Sequence, residues 1–439
     1  MAACDGDGLS AGFASAMSTL GFARNQPLAV AFSGGGDSTA LLALAVRHAS
    51  AAPVLALIVD HALRAESGAE ARRAAAAAKS LGAKARIMRW RTPQAGQARA
   101  RTARYGLLAQ GCRDFGVRDV LLAHTVEDQE ETFALRLARG SSARGLACMS
   151  AHAPLPLWPQ GRGLWLGRPL LRFGREQLRR WLQAQGLAWI EDPSNQNRRY
   201  QRVRVRQHLD RLRRGGLGAA CIARSVQRLA ALEQERRRQG AVMLNTSVRW
   251  HDAGYAVVDL EPFVQGNDEI LACVLAAVLA GVSGQGALPL SHYKARQLAQ
   301  LLQPGSSCVR SLAGCRVHSD GKTVLVSRDA GAVLGRRNNP EGRMTAVHAG
   351  DRVIFDGRFA IIAATAATIT ALGDRTAQLP AAQRQALNAV PAAVRRTVPV
   401  LDDGAGRLDA PMLGSPHGAQ FLGREIALRM LAPFSQGWT

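Results

Sequence analysis

The chain has 439 residues and carries 56 Lys or Arg against 33 Asp or Glu, a net charge of +23 at pH 7 with a pI near 11.2. That length accommodates two or three domains with cores of their own, and the longest apolar run, residues 270–282, is too short to cross a membrane and reads as a buried helix. Seven scattered cysteines without a C-x-x-C pair argue against zinc knuckles and a cysteine-held iron–sulfur cluster, and suit reduced thiols in a cytoplasmic protein; the first residues also lack the basic-then-apolar layout of a secretory signal.

The first 140 residues alternate short apolar strands, expected at 28–32, 54–59, 85–90 and 120–123, with helical stretches at 39–50, 67–81 and 97–115. Such alternation implies an α/β domain: a doubly wound parallel sheet, covered on both faces, that binds ligands at its strand C-terminal ends. A basic helical stretch follows from 172 to about 214, broken by the turn signal Asp192-Pro193-Ser194-Asn195. Gly215-Gly216-Leu217-Gly218 marks a boundary, so a first domain is expected over 1–215. Beyond it, a helix at 219–238, a strand at 255–260, helices at 268–281 and 292–302 and a hairpin around Ser319-Asp320-Gly321 describe a smaller, mainly helical middle domain over 216–335. A second hairpin around Asp356-Gly357 belongs to a C-terminal α+β domain over 336–439.

Charge is unevenly spread along these segments. Between 172 and 238, 17 Arg stand against 6 acidic residues, a net of +11 in 67 residues. A GC-rich genome accounts for Arg in place of Lys but not for the sign of the surplus. Such a surplus is the footprint of a polyphosphate backbone partner. Aromatic residues make up only 5% of the chain, so contacts to phosphates are expected and base-stacking platforms are not.

The densest chemical signal is Ser33-Gly34-Gly35-Gly36-Asp37-Ser38, placed between the first strand and the first helical stretch. Three glycines let the backbone approach a ligand closely, and successive N–H groups at a helix N-terminus form a cradle for phosphate oxygens. The loop has no Lys and contains an Asp, unlike the G-x-x-x-x-G-K-[ST] loop, and it fails the G-x-G-x-x-G dinucleotide and G-x-S-x-G nucleophile patterns. After the second strand comes Val59-Asp60-His61-Ala62-Leu63-Arg64, after the third Gln97-Ala98-Arg99-Ala100-Arg101 with Arg104-Tyr105, and after the fourth His124-Thr125-Val126-Glu127-Asp128-Gln129-Glu130-Glu131-Thr132. Arg168-Pro169-Leu170-Leu171, Glu191-Asp192-Pro193-Ser194-Asn195 and Arg202-Val203-Arg204-Val205-Arg206 follow downstream.

In this order, through about residue 210, the set resembles the tRNA(Ile)-lysidine synthetase family of N-type ATP pyrophosphatases (PP-loop enzymes). The chain departs from the family pattern at Thr125, where a second His is usual, at Glu127 in place of Asp, at Ser142 in place of Gly, and at Val203 in place of Asn. The resemblance implies an ATP-dependent carbon–nitrogen ligase acting on tRNA. The C2 oxygen of the wobble cytidine of an isoleucine tRNA with a CAU anticodon is adenylated with release of pyrophosphate. The ε-amine of free L-lysine then displaces AMP. It implies ATP and Mg²⁺ as cofactors and no membrane partner, and leaves the oligomeric state open. Ser33, Gly34, Gly35, Gly36, Asp37 and Ser38 would bind ATP, with Asp37 assigned to Mg²⁺ or to orienting the loop, and Asp60 either facing the nucleotide or capping a helix. Asp128 and Glu131, three apart on one helical face, would bind lysine, and His124 is the candidate for proton transfer. Arg101, Arg104, Arg202, Arg204 and Arg206 are the candidate tRNA contacts; the last three would share one face in a strand and spread in a helix. Alternatives from the same residues are another PP-loop enzyme such as a tRNA thiolase, one acting on a small metabolite, or a catalytically silent tRNA-binding protein.

Overall fold

The computed structural model describes the chain except residues 1–3, 23–24, 51, 95, 192–200, 215–218, 264–267, 287–291, 303–304, 336–341 and 432–439, and except the side chains of 4–7, 202, 212–214, 219–220 and 292. It forms two compact units, one over Met1–Glu235 and one over Arg236–Ala432.

The first unit runs α1 (Cys4–Thr19), β1 (Leu28–Ala31), α2 (Gly36–His48), β2 (Val54–Asp60), α3 (Ser67–Ser80), β3 (Lys84–Arg89), α4 (Gln97–Asp114), β4 (Asp119–Leu121), α5 (Val126–Leu137), α6 (Ala143–Leu146), β5 (His152–Pro154), β6 (Trp165–Gly167), α7 (Arg175–Ala184), α8 (Gln201–Arg214) and α9 (Ala219–Ser247), the last of which continues past Glu235. Its six-stranded sheet has the order β3-β2-β1-β4-β6-β5, parallel apart from β5 at the edge. β1 pairs with β2 from Leu28↔Val54 and with β4 from Ala29↔Val120. The four expected parallel strands are therefore present, and strand order reverses direction between β1 and β4. A crevice opens at such a switch point.

Burial on both faces explains why these strands are apolar throughout. Leu28, Val30, Val54, Ala56 and Ile58 point into a core shared with residues of α1, α2, α3 and α7. The alternate positions Ala29, Ala31, Leu55 and Leu57 point the other way, against Tyr105, Leu108, Ala109 and Cys112 of α4. Close approach is enforced at Gly111, where a Cβ would stand 2.6 Å from Leu57 Cδ2. Two features were not anticipated. α1 buries Leu9, Phe13 and Met17 at helical spacing, a periodicity hidden by the Gly, Ser and Asp between them. β5 and β6 are three residues each, too short to register as apolar runs.

In the second unit, β7 (Val248–His251), β8 (Tyr255–Asp259), β9 (Ser307–Leu312), β10 (Cys315–Asp320) and β11 (Thr323–Arg328) form an antiparallel sheet of order β7-β8-β11-β10-β9. It packs with α10 (Asp268–Ser283), buried from Ile270 onward, and α11 (His292–Leu301). The expected strand, helices and Asp320-Gly321 hairpin are there, but β7 and β9 give residues 248–328 more sheet than anticipated. β12 (Thr345–Val347), β13 (Arg352–Phe355), β14 (Phe359–Ile362), β15 (Ala367–Ala371), β16 (Pro399–Asp402), β17 (Leu408–Asp409) and β18 (Gly418–Phe421) make two further sheets, β12-β15-β16-β17 and β13-β14-β18. The β13–β14 hairpin turns at Asp356-Gly357, as expected.

That turn carries a buried ion cluster. Arg328 donates Nε and Nη2 to the two oxygens of Asp356 at 3.0 Å each, and Arg358 Nε donates to Oδ2 at 2.7 Å. The remaining guanidinium nitrogens donate to backbone carbonyls: Arg328 Nη1 to Gly314 O, and Arg358 Nη1 and Nη2 to Gly254 O and Thr397 O. Among the described residues, no helix is long and apolar enough to cross a membrane.

Candidate active site

The loop leaves β1 at its C-terminal end and enters α2. Gly34 takes φ +85°, which favours glycine, and its carbonyl accepts hydrogen bonds from Ile190 N (2.9 Å) and Thr39 Oγ1 (3.2 Å). Ser38 Oγ donates to Gly35 O at 2.9 Å and accepts from Ser33 N at 3.3 Å. The loop's carbonyls and serine hydroxyls thus tie it to itself. The first N–H groups of α2, from Gly36, have no acceptor inside the helix, and a helix end of this kind favours an anion.

Two cavities flank the loop. One, of about 510 Å³, lies over the ends of β1 and β2 and is lined by residues including Ser33, Asp60, His61, Glu70 and Arg104. Asp60 is buried there. Its Oδ1 accepts the Ala62 N–H at 2.9 Å and its Oδ2 lies 3.8 Å from Arg89 Nε. Asp60 thus braces the turn after β2, where Ala62 has φ +51°, and does not cap α3, which starts at Ser67. Burial, with the positive Arg104 nearby, holds the His61 imidazole below its ordinary pKa.

The second cavity, of about 480 Å³, unites the loop with the segment after β4: Ser33, Gly35, Gly36, Asp37 and Ser38 share it with His124, Asp128, Arg175 and Arg206. Here Thr125, at the usual place of a second His, is the N-cap of α5. Its backbone N–H and hydroxyl donate to Asp128 Oδ2 at 2.9 and 3.1 Å, a reciprocal cap that fixes the carboxylate and leaves Oδ1 toward the cavity. Asp128 lines the cavity; Glu131, one turn on, is sealed behind it with a side chain 2% exposed.

One residue gathers these acids. Arg175 donates Nη2 to Asp128 Oδ1 at 2.7 Å, Nη1 to Glu131 Oε1 at 3.2 Å and Nε to Asp37 Oδ2 at 3.3 Å. Arg206 Nε reaches the same Glu131 oxygen at 2.8 Å. Glu127 serves the backbone: its Oε1 accepts the Arg175 N–H at 3.0 Å and so caps α7. Burial works against the Arg175 charge, but Asp128, Glu131, Asp37 and Glu127 outweigh it and lift its pKa above the ordinary value. The Asp37 carboxyl is pushed above its ordinary pKa by burial and by Asp128 and Glu127, with Arg175 pulling the other way.

The candidate RNA contacts are spread out. Arg104 and Arg101 are both exposed; Arg104 lines both cavities, and the Arg101 guanidinium stands 5.1 Å over the Tyr105 ring. Residues 202–206 are helical, in α8, so Arg204 is exposed while Arg206 turns to Glu131; the side chain of Arg202 lies outside the described residues. Val203, where the family pattern has Asn, is buried. Sequence reasoning missed Arg175 and the capping role of Glu127. Arg175 stood among 17 arginines of one stretch, with no local signal to set it apart.

A switch-point crevice that joins a lysine-free glycine loop to a neighbouring acidic cluster defines an ATP-using enzyme of the PP-loop class, and residues 12–212 match the PP-loop domain family model. Over longer spans the chain is similar to tRNA(Ile)-lysidine synthases: 36% identical to that of Caulobacter vibrioides over 390 residues, covering 86% of this chain and 85% of the relative. It is 33% identical to that of Ruegeria pomeroyi, covering 94% and 90%, and 33% identical to that of Hyphomonas neptunium, covering 70% and 83%. The chain belongs to the tRNA(Ile)-lysidine synthase family, ATP-dependent ligases built on the PP-loop domain.

Proposed function

We propose that the protein adenylates the C2 oxygen of the wobble cytidine of a CAU-anticodon isoleucine tRNA with ATP, and that the ε-amine of free L-lysine displaces AMP to give lysidine. The observation that carries this reading is the shared cavity, in which the phosphate-binding loop, His124 and Asp128 face one space. A ring carbonyl oxygen is a poor leaving group, and adenylation makes it a good one. Loop amides hold the departing pyrophosphate where its charge grows, and the cavity beside β2, with Asp60 bracing its wall, takes the nucleoside.

Lysine arrives as an ammonium, of which only about one in a few thousand is neutral at pH 7. Asp128 binds the charged form, with Glu131 behind it, and His124, at the same cavity, takes the proton before attack. The guanidiniums of Arg175 and Arg206 join Asp37, Asp128 and Glu131, Glu127 holds the Arg175 backbone N–H, and Arg104, Arg179 and Glu191 also line the cavity. Among the described residues no three His, Cys, Asp or Glu converge as a metal cage, but Mg²⁺ needs only one or two carboxylates beside phosphate oxygens. Asp37, at the loop, fits that role; a bound Mg²⁺ supplies charge neutralisation on the polyphosphate. Arg101, Arg202 and Arg204 contact tRNA phosphates, with the arginine-rich helices and the second unit extending the contact, in the cytoplasm where tRNA and lysine meet.

The test is incubation with ATP, labelled lysine and a panel of tRNAs, followed by nucleoside analysis by mass, with a labelled-sulfur arm. Lysidine in the CAU-anticodon isoleucine tRNA is expected. Sulfur incorporation, or ATP turnover without any nucleoside change, would overturn the reading.

A further inference from the structure

The proposed lysine site already holds a cation. Both oxygens of Asp128 are engaged, Oδ2 by Thr125 and Oδ1 by Arg175, and Glu131 is closed in by Arg175 and Arg206. Arg175 sits where helix energetics disfavour it: a positive side chain in the first turn opposes the helix dipole. Its placement therefore answers to the carboxylates and not to α7.

The backbone beneath it is fixed separately. Glu127 Oε1 holds the Arg175 N–H at 3.0 Å, so the guanidinium can exchange partners while α7 stays in place. Its side chain is 21% exposed, on the cavity that also contains the Ser33–Ser38 loop. Glu127 Oε2 is buried without a hydrogen-bond partner among the described residues, so one carboxylate oxygen beside Arg175 stays unmatched.

From this arrangement we propose that Arg175 makes lysine binding conditional on ATP. It is a positioning residue that occupies Asp128 and Glu131 while the loop is empty and turns to the nucleotide's phosphates once they fill it. Phosphate oxygens at the loop offer the planar guanidinium a bidentate partner within the same cavity. The exchange frees Asp128 Oδ1 for the ε-ammonium, so ATP precedes lysine. Arg175's contact with Asp37 at 3.3 Å places it on the loop side from the start. The proposal rests on the assignment of Asp128 and Glu131 to lysine.

Isothermal titration of L-lysine into the full-length protein, with and without α,β-methylene-ATP, tests it. The wild type should bind lysine at least about 10-fold more tightly with the analogue, within the usual range of coupling between sites. Arg175→Gln should bind lysine without nucleotide, and its coupling should fall to within about 2-fold. Arg175→Lys, which keeps the charge but cannot bridge three carboxylates, should also lose most of the coupling, and it decides the matter if the Gln variant does not fold. Equal wild-type affinity with and without the analogue would overturn the proposal and leave the lysine site standing; so would unchanged coupling in a folded variant. No lysine binding under either condition, with the analogue itself bound, would overturn both.

Discussion

Each unit of the protein buries a cluster of arginines and carboxylates, and the two are built in opposite ways. In the second unit a single carboxylate, Asp356, is held by Arg328 and Arg358, and by Arg343 at 2.8 Å. Arg328 and Arg358 direct their other guanidinium nitrogens to the carbonyls of Gly314, Gly254 and Thr397. Little is left over for a ligand, and the cluster ties together β11, the β13–β14 turn and the turn between β7 and β8. In the first unit the guanidiniums of Arg175 and Arg206 serve three carboxylates, Asp37, Asp128 and Glu131, and Asp128 and Asp37 face a cavity. A buried ion pair is weak evidence for stability in itself. What separates the two clusters is access: the closed one is sealed within the fold, and the open one faces a cavity.

The sharpest test of this contrast removes Asp37. Asp37→Ala should abolish adenylation, a loss of about 10³-fold or more, while tRNA binding persists. Pyrophosphate release measured beside a tRNA-binding isotherm checks both halves, and normal lysidine formation by this variant would end the assignment of the open cluster to catalysis. Next in size is the closed cluster. Asp356→Asn leaves two buried guanidiniums without their counter-charge, and should destabilise the protein by about 3 kcal/mol or more with no effect on lysine dependence beyond the loss of folded protein. A denaturant midpoint close to that of the wild type would show the cluster to be dispensable.

How far such differences were legible beforehand depends on how local their signals are. The loop was readable because three glycines follow an apolar strand directly, and α5 because its acids stand at helical spacing. The parallel sheet followed from alternating strands and helices. Arg175 was not readable in this way: its partner Asp37 is 138 residues away in sequence, and periodicity does not encode a contact across that distance. The same holds for Arg358, whose carbonyl partner Gly254 lies 104 residues upstream; the sequence shows a D-G turn there but not that Asp356 is buried. β9, with the sequence Ser-Cys-Val-Arg-Ser-Leu and no buried residue, lacks the apolar alternation that marks a strand.

A smaller effect divides the open cluster itself. Asp128→Ala should raise the lysine requirement by about 10-fold, the scale of one lost charge-assisted contact, with the ATP requirement nearly unchanged. Glu131→Ala should also raise the lysine requirement more than the ATP requirement. Because Glu131 is sealed and holds two arginines, its loss should lower thermal stability as well. Steady-state kinetics with each substrate varied in turn, paired with melting curves, separates the two roles. Unchanged lysine dependence in both variants would remove the lysine site from α5.

The smallest expected effect is a matter of sign. Asp356 has a folded pKa below 3.8, because Arg358 and Arg328 outweigh the cost of burial. Its contribution to stability is thus present above pH 3.8 and is lost as pH falls through the folded value. Asp37 is the reverse: burial and its acidic neighbours raise its folded pKa above 3.8, so its contribution is present below 3.8 and is lost as pH rises through the folded value. Asp37→Asn should therefore melt no lower than the wild type at pH 7, and any advantage should vanish below pH 3.8. Melting curves across pH 3 to 7 check this; a Tm for Asp37→Asn well below that of the wild type at pH 7 would mean that the open cluster, like the closed one, is held for stability.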